Sequence, residues 1–274
     1  MPNLQLLVWN SQGGKWPAFW THYVGPVVAA GQDTIGLLVE AGWAPWVTPG
    51  NVYEDTIYPR DTNASWFNKT VDQTDAFCQG VAGVPHRRGS AYWVPWVKNF
   101  WAQRVNTRCS MGAVMVPVTR SFGEVKRFIS PDPRLYLRSI FRFELKRPSA
   151  LGGSVELSVF LVHLVSGNPY RAQQQMDNLI AAMSKLIQQG TSAIVVGDFN
   201  IDIIYQAVPF QLPLGWSLLR TDGPTQQSAG ELDFALLYDP TNAYQGATAA
   251  VVEAYNSGNN KSDHSVMRYT VPLT

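Results

Sequence analysis

Eight polar or ionisable side chains stand where predicted strands begin or end, and their types suit metal binding and proton transfer. They are Asn10, Glu40, His163, Asp198, Asn200, Asp233, Asp263 and His264. Strand ends at one edge of a sheet converge in space, and ligands bind there. A hard cation such as Mg²⁺ takes oxygen ligands from carboxylates, Asn and water, which Glu40, Asn10 and Asp263 would supply. The two histidines, each with a carboxylate that could pair with it, would transfer protons.

Taken one at a time, these residues are weak signals, because an Asp or Asn at a strand end is most often a turn residue. The dipeptide Asp263-His264 alone indicates little, and the run from Gly197 to Asn200 is a moderate signal. The set is more informative, since a polar group at a strand end recurs at each position. The expected chemistry therefore depends on the strands that bring these residues together.

Short apolar runs predict the strands that must carry the polar side chains. The predicted strands are Leu4–Trp9, Thr34–Val39, Gly112–Val118, Glu124–Phe128, Tyr136–Leu145, Val155–His163, Ser192–Val196, Leu232–Tyr238, Thr248–Ala254 and Ser265–Val271. This order places strands in two halves of the chain. Two sheets packed face to face, each covered by helices, would accommodate it.

Two helices are predicted between these strands. Residues 16–30 are aromatic and apolar, and Pro26 is expected to limit the end of the first helix. The second helix has Asn168 as its cap, Pro169 at its first position and Gly190 as its stop. Its apolar residues recur at helical spacing, which predicts packing against a sheet.

The composition is that of a globular chain and excludes several classes of protein. Of the 274 residues, 46% are hydrophobic and 15% charged, which excludes a disordered acidic tail and a histone-like protein. Two cysteines, Cys78 and Cys109, exclude a disulfide-rich scaffold, and both one bridge and two free thiols stay open. No apolar run approaches the roughly 18–20 residues that span a bilayer. The N-terminal residues predict no signal peptide in this chain.

Basic residues are concentrated in the middle of the chain. Residues 87–147 include 13 Lys and Arg against 3 Asp and Glu, whereas the rest has 8 basic and 17 acidic residues. A basic segment can bind a phosphate backbone. Solvated faces of strands explain the same charge equally well, so charge alone leaves both interpretations open.

Residues from about 43 to 108 form a stretch rich in Trp, Pro, Gly and Asn. It holds six of the ten tryptophans. Loops of this length are uncommon, so such a stretch is either functional or has hairpins of its own. Because the chain has no internal repeat or low-complexity linker, we expect one domain over residues 1–274, with this stretch as an insert.

Ordered motifs along nearly the whole chain resemble those of the endonuclease/exonuclease/phosphatase superfamily, which contains deoxyribonuclease I. The motifs are Val8–Gly13, Val39–Gly42, Val162-His163, Val196–Asn200, Leu232–Ala235 and Ser262–His264. Within the superfamily, the first two motifs and the stretch from Arg87-Arg88 to residues 111–116 look most like the cytolethal distending toxin B subunit. The departures lie mainly in residues 43–85.

The resemblance implies an α/β fold of the deoxyribonuclease I-like kind. This is a four-layer sandwich of two mostly antiparallel sheets packed face to face, with helices outside and the site at one edge. The resemblance also implies Mg²⁺-dependent cleavage of DNA, with Mn²⁺ or Ca²⁺ as alternative ions. A phosphoinositide phosphatase or a sphingomyelinase-like phospholipid hydrolase with the same site is the alternative. A partner-binding protein without activity is disfavoured, because every site position has a competent residue.

Carried over position by position, the resemblance implies Glu40 as the main metal ligand, helped by Asn10 and Asp263. It implies that Asp198 and Asn200 position the attacking water and the scissile phosphate.

The two histidines are implied to transfer the protons. His264, oriented by Asp233, would be the general base, and His163 the general acid or a phosphate ligand. Which histidine takes which proton stays open.

Arginines are implied to bind the substrate. Arg138 stands where the family places a phosphate-contacting arginine. Arg142 is a second candidate for the same role, because four residues along a strand would place it on the same face as Arg138. Arg87 and Arg88 in the basic segment would contact the DNA backbone.

The expected partners follow from the same resemblance. They are DNA and toxin delivery subunits, and membrane contact through the aromatic insert belongs to the phospholipid alternative. We expect a secreted or delivered bacterial effector that acts in a target cell.

Overall fold

Alternating apolar residues build two β-sheets that face each other. The computed structural model describes residues 2–13, 16–41, 57–58, 67–70, 73–77, 88–94, 111–116, 119–122, 126–129, 140–148, 153–187, 190–204 and 211–273. Its strands are β1 (Asn3–Asn10), β2 (Asp33–Val39), β3 (Ile57–Tyr58), β4 (Phe67–Thr70), β5 (Gln73–Phe77), β6 (Arg88–Val94), β7 (Met111–Val116), β8 (Ser121–Phe122), β9 (Lys126–Ile129), β10 (Ile140–Lys146), β11 (Val155–His163), β12 (Ser192–Asp198), β13 (Trp216–Leu219), β14 (Asp233–Tyr238), β15 (Thr248–Glu253) and β16 (Val266–Pro272). Its helical segments are α1 (Trp16–Phe19), a π-helical turn (Trp20–Val24), α2 (Gly25–Ala29) and α3 (Pro169–Leu186).

Within these residues, the strands form one sheet of seven and one of nine. The first sheet has the order β15-β16-β1-β2-β7-β6-β5, and the second has β13-β14-β12-β11-β10-β9-β4-β3 with β8 also paired to β10. Only β1–β2 and β11–β12 pair in parallel among the described strand pairs. The predicted pair of mostly antiparallel sheets is confirmed.

The main core lies between the two sheets. Every second residue of each central strand points into it, as in Leu4, Leu6 and Val8 of β1 and Val159 and Leu161 of β11. These side chains are fully or almost fully buried. At roughly 1.5–3 kcal/mol for each large apolar side chain, this burial is the main force that holds the sheets face to face.

Helix α3 covers the outer face of the second sheet. The Asn168 side chain accepts a hydrogen bond from the backbone N–H of Arg171 (3.0 Å), which confirms the predicted cap. Met176 and Met183 of the apolar face are buried against the sheet residues Phe160 and Val162. The helix ends at Leu186, a few residues before the predicted stop.

The segment from α1 to α2 covers the outer face of the first sheet. Phe19 and Val24 pack over Gly36 of β2, where an added Cβ would lie 2.9 and 2.7 Å from them. The predicted helical range of residues 16–30 agrees with the helical path from Trp16 to Ala29, but the expectation that Pro26 limits its end is wrong. Proline has no N–H for the residue four positions earlier, and the π-helical turn before it, with Gly25 N–H bonded to Trp20 O, accommodates that loss. The predicted four-layer sandwich is thus confirmed.

The stretch at about 43–108 contributes strands to both sheets. Strands β5 and β6 form an antiparallel hairpin pair at the edge of the first sheet, and β3 and β4 pair at the edge of the second. Of the two interpretations of this stretch, a functional loop or hairpins of its own, these strand pairs agree with the second. Cys78 and Cys109 lie outside the described residues. Among the helices that are described, none has both the length and the apolar character needed to cross a lipid bilayer.

Candidate active site

Strand register brings the predicted site residues to one edge of the sandwich. His163 pairs with Asp198 across β11 and β12, and Asp198 pairs with Asp233 across β12 and β14. In the first sheet Asn10 pairs with Val39, so that Glu40 follows directly. Asn10, His163, Asp198 and Asp233 continue the inward-facing positions of their strands. They therefore line the opening between the sheets.

Asp198 is the centre of the site. Its side chain is buried, and its Oδ2 accepts a hydrogen bond from Asn10 Nδ2 (3.0 Å) of the opposite sheet. Its Oδ1 accepts one from the backbone N–H of Asn200 (2.9 Å). His163 Nε2 lies 3.5 Å and His264 Nε2 3.8 Å from Asp198 Oδ2. One carboxylate oxygen thus faces both histidines.

His264 forms a buried pair with Asp233. His264 Nδ1 donates to Asp233 Oδ2 at 2.9 Å, and both side chains are nearly inaccessible to solvent. This bond directs His264 Nε2 towards Asp198 and towards Asp263 Oδ1, which lies 3.7 Å away. The structure thus brings Asp233 and His264 into contact, and the catalytic role expected for this pair stays a prediction.

Glu40 faces the same ring nitrogen of His163 as Asp198 does. Its Oε1 lies 3.9 Å from His163 Nε2. Glu40 has a φ of +52°, in the left-handed region that residues other than Gly seldom adopt. The backbone N–H of Gly13 (2.7 Å) and the hydroxyl of Ser11 (3.1 Å) both donate to the Glu40 carbonyl and hold this conformation. Strain of this kind clusters at functional sites.

Gly197 lets β12 approach β11 closely just before Asp198. Its φ is +140°, and an added Cβ would lie 2.0 Å from the carbonyl oxygen of Val162. Only glycine fits this position. The glycine of the motif at 197–200 is therefore required by the contact that aligns His163 with Asp198.

The crowding of carboxylates sets the protonation of the site in the metal-free protein. Burial acts to lower the pKa of His264, but the charges of Asp233 and Asp198, the hydrogen bond to Asp233 and the charge of Asp263 raise it to about 10. Burial raises the pKa of Asp198 to about 6, against the opposing effects of His264 and of the hydrogen bonds from Asn200 and Asn10. At neutral pH His264 is an imidazolium, and Asp198 titrates close to that pH.

The donor set of this edge fits a hard cation. Asp263 Oδ1 is buried and has no hydrogen-bond partner among the described residues, so a lone pair remains for a ligand. Four carboxylates, from Glu40, Asp198, Asp233 and Asp263, face two imidazoles, which leaves an excess of negative charge. Asp198, Asp233 and His264 also offer ligand atoms within 4.8 Å of one another, a spacing that could hold a metal ion.

The structure does not bring all the predicted arginines to this edge. Arg142 pairs with Phe160, which packs under α3, so it lies on the face of the sheet opposite to His163. It is buried there, 2.7 Å from Glu144. The prediction of Arg142 as a phosphate ligand followed from strand spacing alone. It is wrong, because Arg142 lies on the sheet face that α3 covers.

Strand register also separates Arg88 from the site. Val94, at the other end of β6, pairs with Met111, which pairs with Val39 beside Glu40. Arg88 therefore begins its strand at the edge remote from Glu40. Arg87 and Arg138 lie outside the described residues.

Three buried residues support the site without having been assigned a role from the sequence. Ser262 Oγ donates to the Asn10 carbonyl (2.6 Å) and accepts from the backbone N–H of His264 (3.3 Å). Thr225 Oγ1 accepts from the backbone N–H of Asp233 (3.0 Å), and Asn260 Nδ2 donates to the His264 carbonyl (2.7 Å). Ser262 adjoins Asp263 and could have been suspected, whereas nothing in the sequence marks Thr225 or Asn260.

Solved structures of other proteins share this fold over almost their whole length. The chain is similar to CdtB, the biologically active subunit of cytolethal distending toxin (16% identity, TM-score 0.61, 97% of this chain and 96% of that one). It is also similar to the cytolethal distending toxin from Actinobacillus actinomycetemcomitans (18% identity, TM-score 0.58, 97% of both chains). TDP2 from D. rerio, solved with a single-strand DNA product, is 13% identical with a TM-score of 0.57 over 99% of both chains.

The amino-acid sequence of the chain differs from those of these structural neighbours far more than its fold does. No known family model matches it, and no curated protein sequence does. What these neighbours establish is the fold: the chain has the deoxyribonuclease I-like α/β sandwich that its motifs predicted.

Proposed function

We propose that this chain is a divalent-metal-dependent phosphodiesterase that hydrolyses the DNA backbone. The observation that carries the proposal is the convergence of the Asp233–His264 pair, Asp198 and Asn10 at the opening between the sheets. The fold neighbours support DNA as the substrate, since one of them was solved with a single-strand DNA product. Deoxyribonuclease activity of the toxin-subunit kind is the specific form of the proposal.

The residues that would hold the metal ion are Glu40, Asp263 and Asn10. The half-buried carboxylate of Glu40 and the Asp263 Oδ1, which has no hydrogen-bond partner among the described residues, would be the anionic ligands, and Asn10 Oδ1 would add a neutral one. When bound, Mg²⁺ would supply a positive charge that polarises a phosphate oxygen.

Asp198 and His264 are matched to the two proton transfers of hydrolysis. We assign Asp198 as the base, because its pKa of about 6 lies near a working pH and it is ionised above that value. The oxygen of the attacking water bonds to phosphorus as its proton passes to Asp198. His264, as an imidazolium, protonates the leaving oxygen while the P–O bond breaks. The role of His264 therefore changes from the general base expected from the sequence to the general acid. The reason is that the charges of the surrounding carboxylates raise its pKa.

The remaining residues position the phosphate. Asn200, whose φ is +51°, donates from Nδ2 to the Leu164 carbonyl (2.9 Å), which fixes it beside His163. His163 Nε2 lies 3.9 Å from Glu40 and 3.5 Å from Asp198, which supports a role for His163 in binding a phosphate oxygen. Phosphate contacts by Arg138 and Arg87 stay predictions.

A plasmid-nicking assay tests the proposal. The purified chain should convert supercoiled to open-circular DNA with Mg²⁺ and fail with EDTA. His264→Ala should abolish nicking, and His22→Ala should not, because His22 is exposed and outside the site. A folded wild-type chain that leaves DNA intact with Mg²⁺ would contradict the proposal.

The same assay, run beside phosphoinositide and sphingomyelin hydrolysis, separates the alternatives. The phospholipid alternative depends on aromatic residues whose side chains lie outside the described residues, so no described contact favours it. Delivery subunits and action inside a target cell stay predictions that follow from the resemblance to the toxin.

A further inference from the structure

The loop segment that directly precedes Asp263 and His264 is held by polar contacts. It runs from Ala254 to Ser262, between β15 and β16. The fully buried Asn260 donates from Nδ2 to the carbonyls of Ala254 (3.1 Å) and His264 (2.7 Å), and its Oδ1 accepts from the N–H of Ser262 (2.9 Å). The position of His264 therefore depends on how this loop is anchored.

Glu253, the last residue of β15, anchors the loop from the other side. Its Oε1 accepts a hydrogen bond from the backbone N–H of Asn259 (2.7 Å), and its Oε2 accepts one from the Tyr23 hydroxyl (2.5 Å). Gly258 leaves room for this carboxylate, since an added Cβ would lie 1.8 Å from Oε1. A β-bulge between Val251 and Glu253 shifts the pairing of β15 with β16, and this shift sets the direction of the Glu253 side chain.

Tyr23 links this anchor to the other half of the site. It lies in the π-helical turn, is 4% exposed and packs edge-on against Trp9 with ring centroids 5.7 Å apart. Trp9 directly precedes Asn10, which bonds to Asp198. Tyr23 thus connects the helical segment with the end of β1 and with the loop before His264.

We propose that Glu253 and Tyr23 form a positioning pair that holds loop 254–262 so that Asp263 and His264 stay aligned with Asp198. The inference rests on the proposed phosphodiester hydrolysis at the same site. Neither residue touches substrate: the pair acts through the loop. Because a displacement of about 1 Å can cost on the order of 10²-fold in rate, loss of the anchor should lower kcat more than it affects binding.

Kinetics of three variants, beside one control variant, test the pair. Glu253→Ala should lower kcat on a DNA oligonucleotide at least tenfold, with KM changed less than threefold and a higher Mg²⁺ concentration needed for activity. Tyr23→Phe should give a smaller loss, and Glu253→Gln should recover part of the rate because its amide oxygen still accepts one bond.

Asp239→Ala is the matched control. Asp239 holds a turn by accepting from the N–H groups of Ala243 (3.0 Å) and Tyr244 (2.8 Å), at the end of β14 remote from Asp233. It should lose stability as Glu253→Ala does, yet keep kcat per folded molecule. Equal stability losses in the two variants with no change of kcat in either would overturn the proposal.

A second measurement separates this proposal from the proposed function. In metal-free protein, the downfield NMR signal of the His264 Nδ1 proton reports its bond to Asp233. Glu253→Ala and Tyr23→Phe should weaken or broaden this signal, and Asp239→Ala should not. A wild type inactive on every diester, with the signal still sensitive to Glu253, would refute the function and keep the positioning pair. An unchanged signal in both variants refutes the pair.

Discussion

Asp233→Asn is the perturbation that best tests the assigned roles of the site. The carboxylate of Asp233 accepts the His264 Nδ1 proton at 2.9 Å, with both groups buried. A hydrogen bond to a charged group contributes about 1.5–3 kcal/mol. The charge of Asp233 is the largest of the causes that raise the pKa of His264, ahead of this hydrogen bond. At about 1.36 kcal/mol for each pKa unit, loss of the charge-assisted bond should lower the pKa by at least one to two units. From about 10 in the wild type, the pKa should fall towards roughly 8–9.

The consequence for catalysis follows from the charge of His264. If the imidazolium donates the proton to the leaving oxygen, the bond to Asp233 stabilises the proton donor before the transfer, so its loss should not lower kcat at a pH where His264 is protonated. At pH 10 the rate should fall about 5- to 50-fold, because a smaller fraction of His264 is protonated. The basic limb of the pH–rate profile should move to lower pH by the same one to two units as the pKa. The acidic limb, which we assign to Asp198, should move little.

Two assays measure these effects. An NMR titration of the His264 imidazole ring in metal-free protein measures its pKa directly. Nicking rates from pH 5 to 10 with saturating Mg²⁺ give the positions of the acidic and basic limbs of the pH–rate profile. An unchanged pKa of His264 would refute the electrostatic argument. A shift of the acidic limb instead of the basic one would show that His264 is the base, as its family resemblance first implied.

Three further predictions test the backbone, the metal site and the linkage to pH. Gly197→Ala should lower the free energy of unfolding by about 2–5 kcal/mol, because of backbone strain and the clash with Val162. Gly167→Ala, where φ is positive but the space is open, should lower it by about 1 kcal/mol. Urea unfolding measures both values. Glu40→Gln should raise the Mg²⁺ concentration for half-maximal nicking about tenfold or more, since one anionic ligand is lost; an unchanged value would remove Glu40 from the metal site. Because the pKa of His264 is higher folded (about 10) than unfolded (about 6.5), its stabilisation is complete below pH 6.5 and is lost as pH rises towards 10, at up to about 1.4 kcal/mol per pH unit. Urea unfolding in EDTA should show this slope in the wild type and a flatter one in His264→Gln.

Local signals made much of the fold predictable. Buried apolar runs marked the central strands, as in Val155–His163, whose predicted bounds match the structure. The cap and the apolar face of α3 were equally visible, because helix capping and periodicity depend on neighbours within a few residues. The strand Trp216–Leu219 was missed because it is short and only partly buried, which leaves little apolar pattern.

The types of the site residues were predictable for a similar reason. Each polar residue follows or begins a strand with a recognisable apolar pattern, and the ordered motifs fit one fold family. Sequence order could therefore identify which side chains meet at an edge, although not how they bond.

Tertiary structure alone decided the contacts and the charges. Asn10 and Asp198 are 188 residues apart, and Tyr23 and Glu253 are 230 apart, so only the packing of the two sheets makes these hydrogen bonds. Arg142 is buried away from the site because α3 covers the sheet face on which it lies, and only the tertiary structure shows which face that is. The residue types and the strands that carry them could be predicted from the amino-acid order. Burial and the convergence of carboxylates, which shift the pKa values of Asp198 and His264, exist only once the strands have paired.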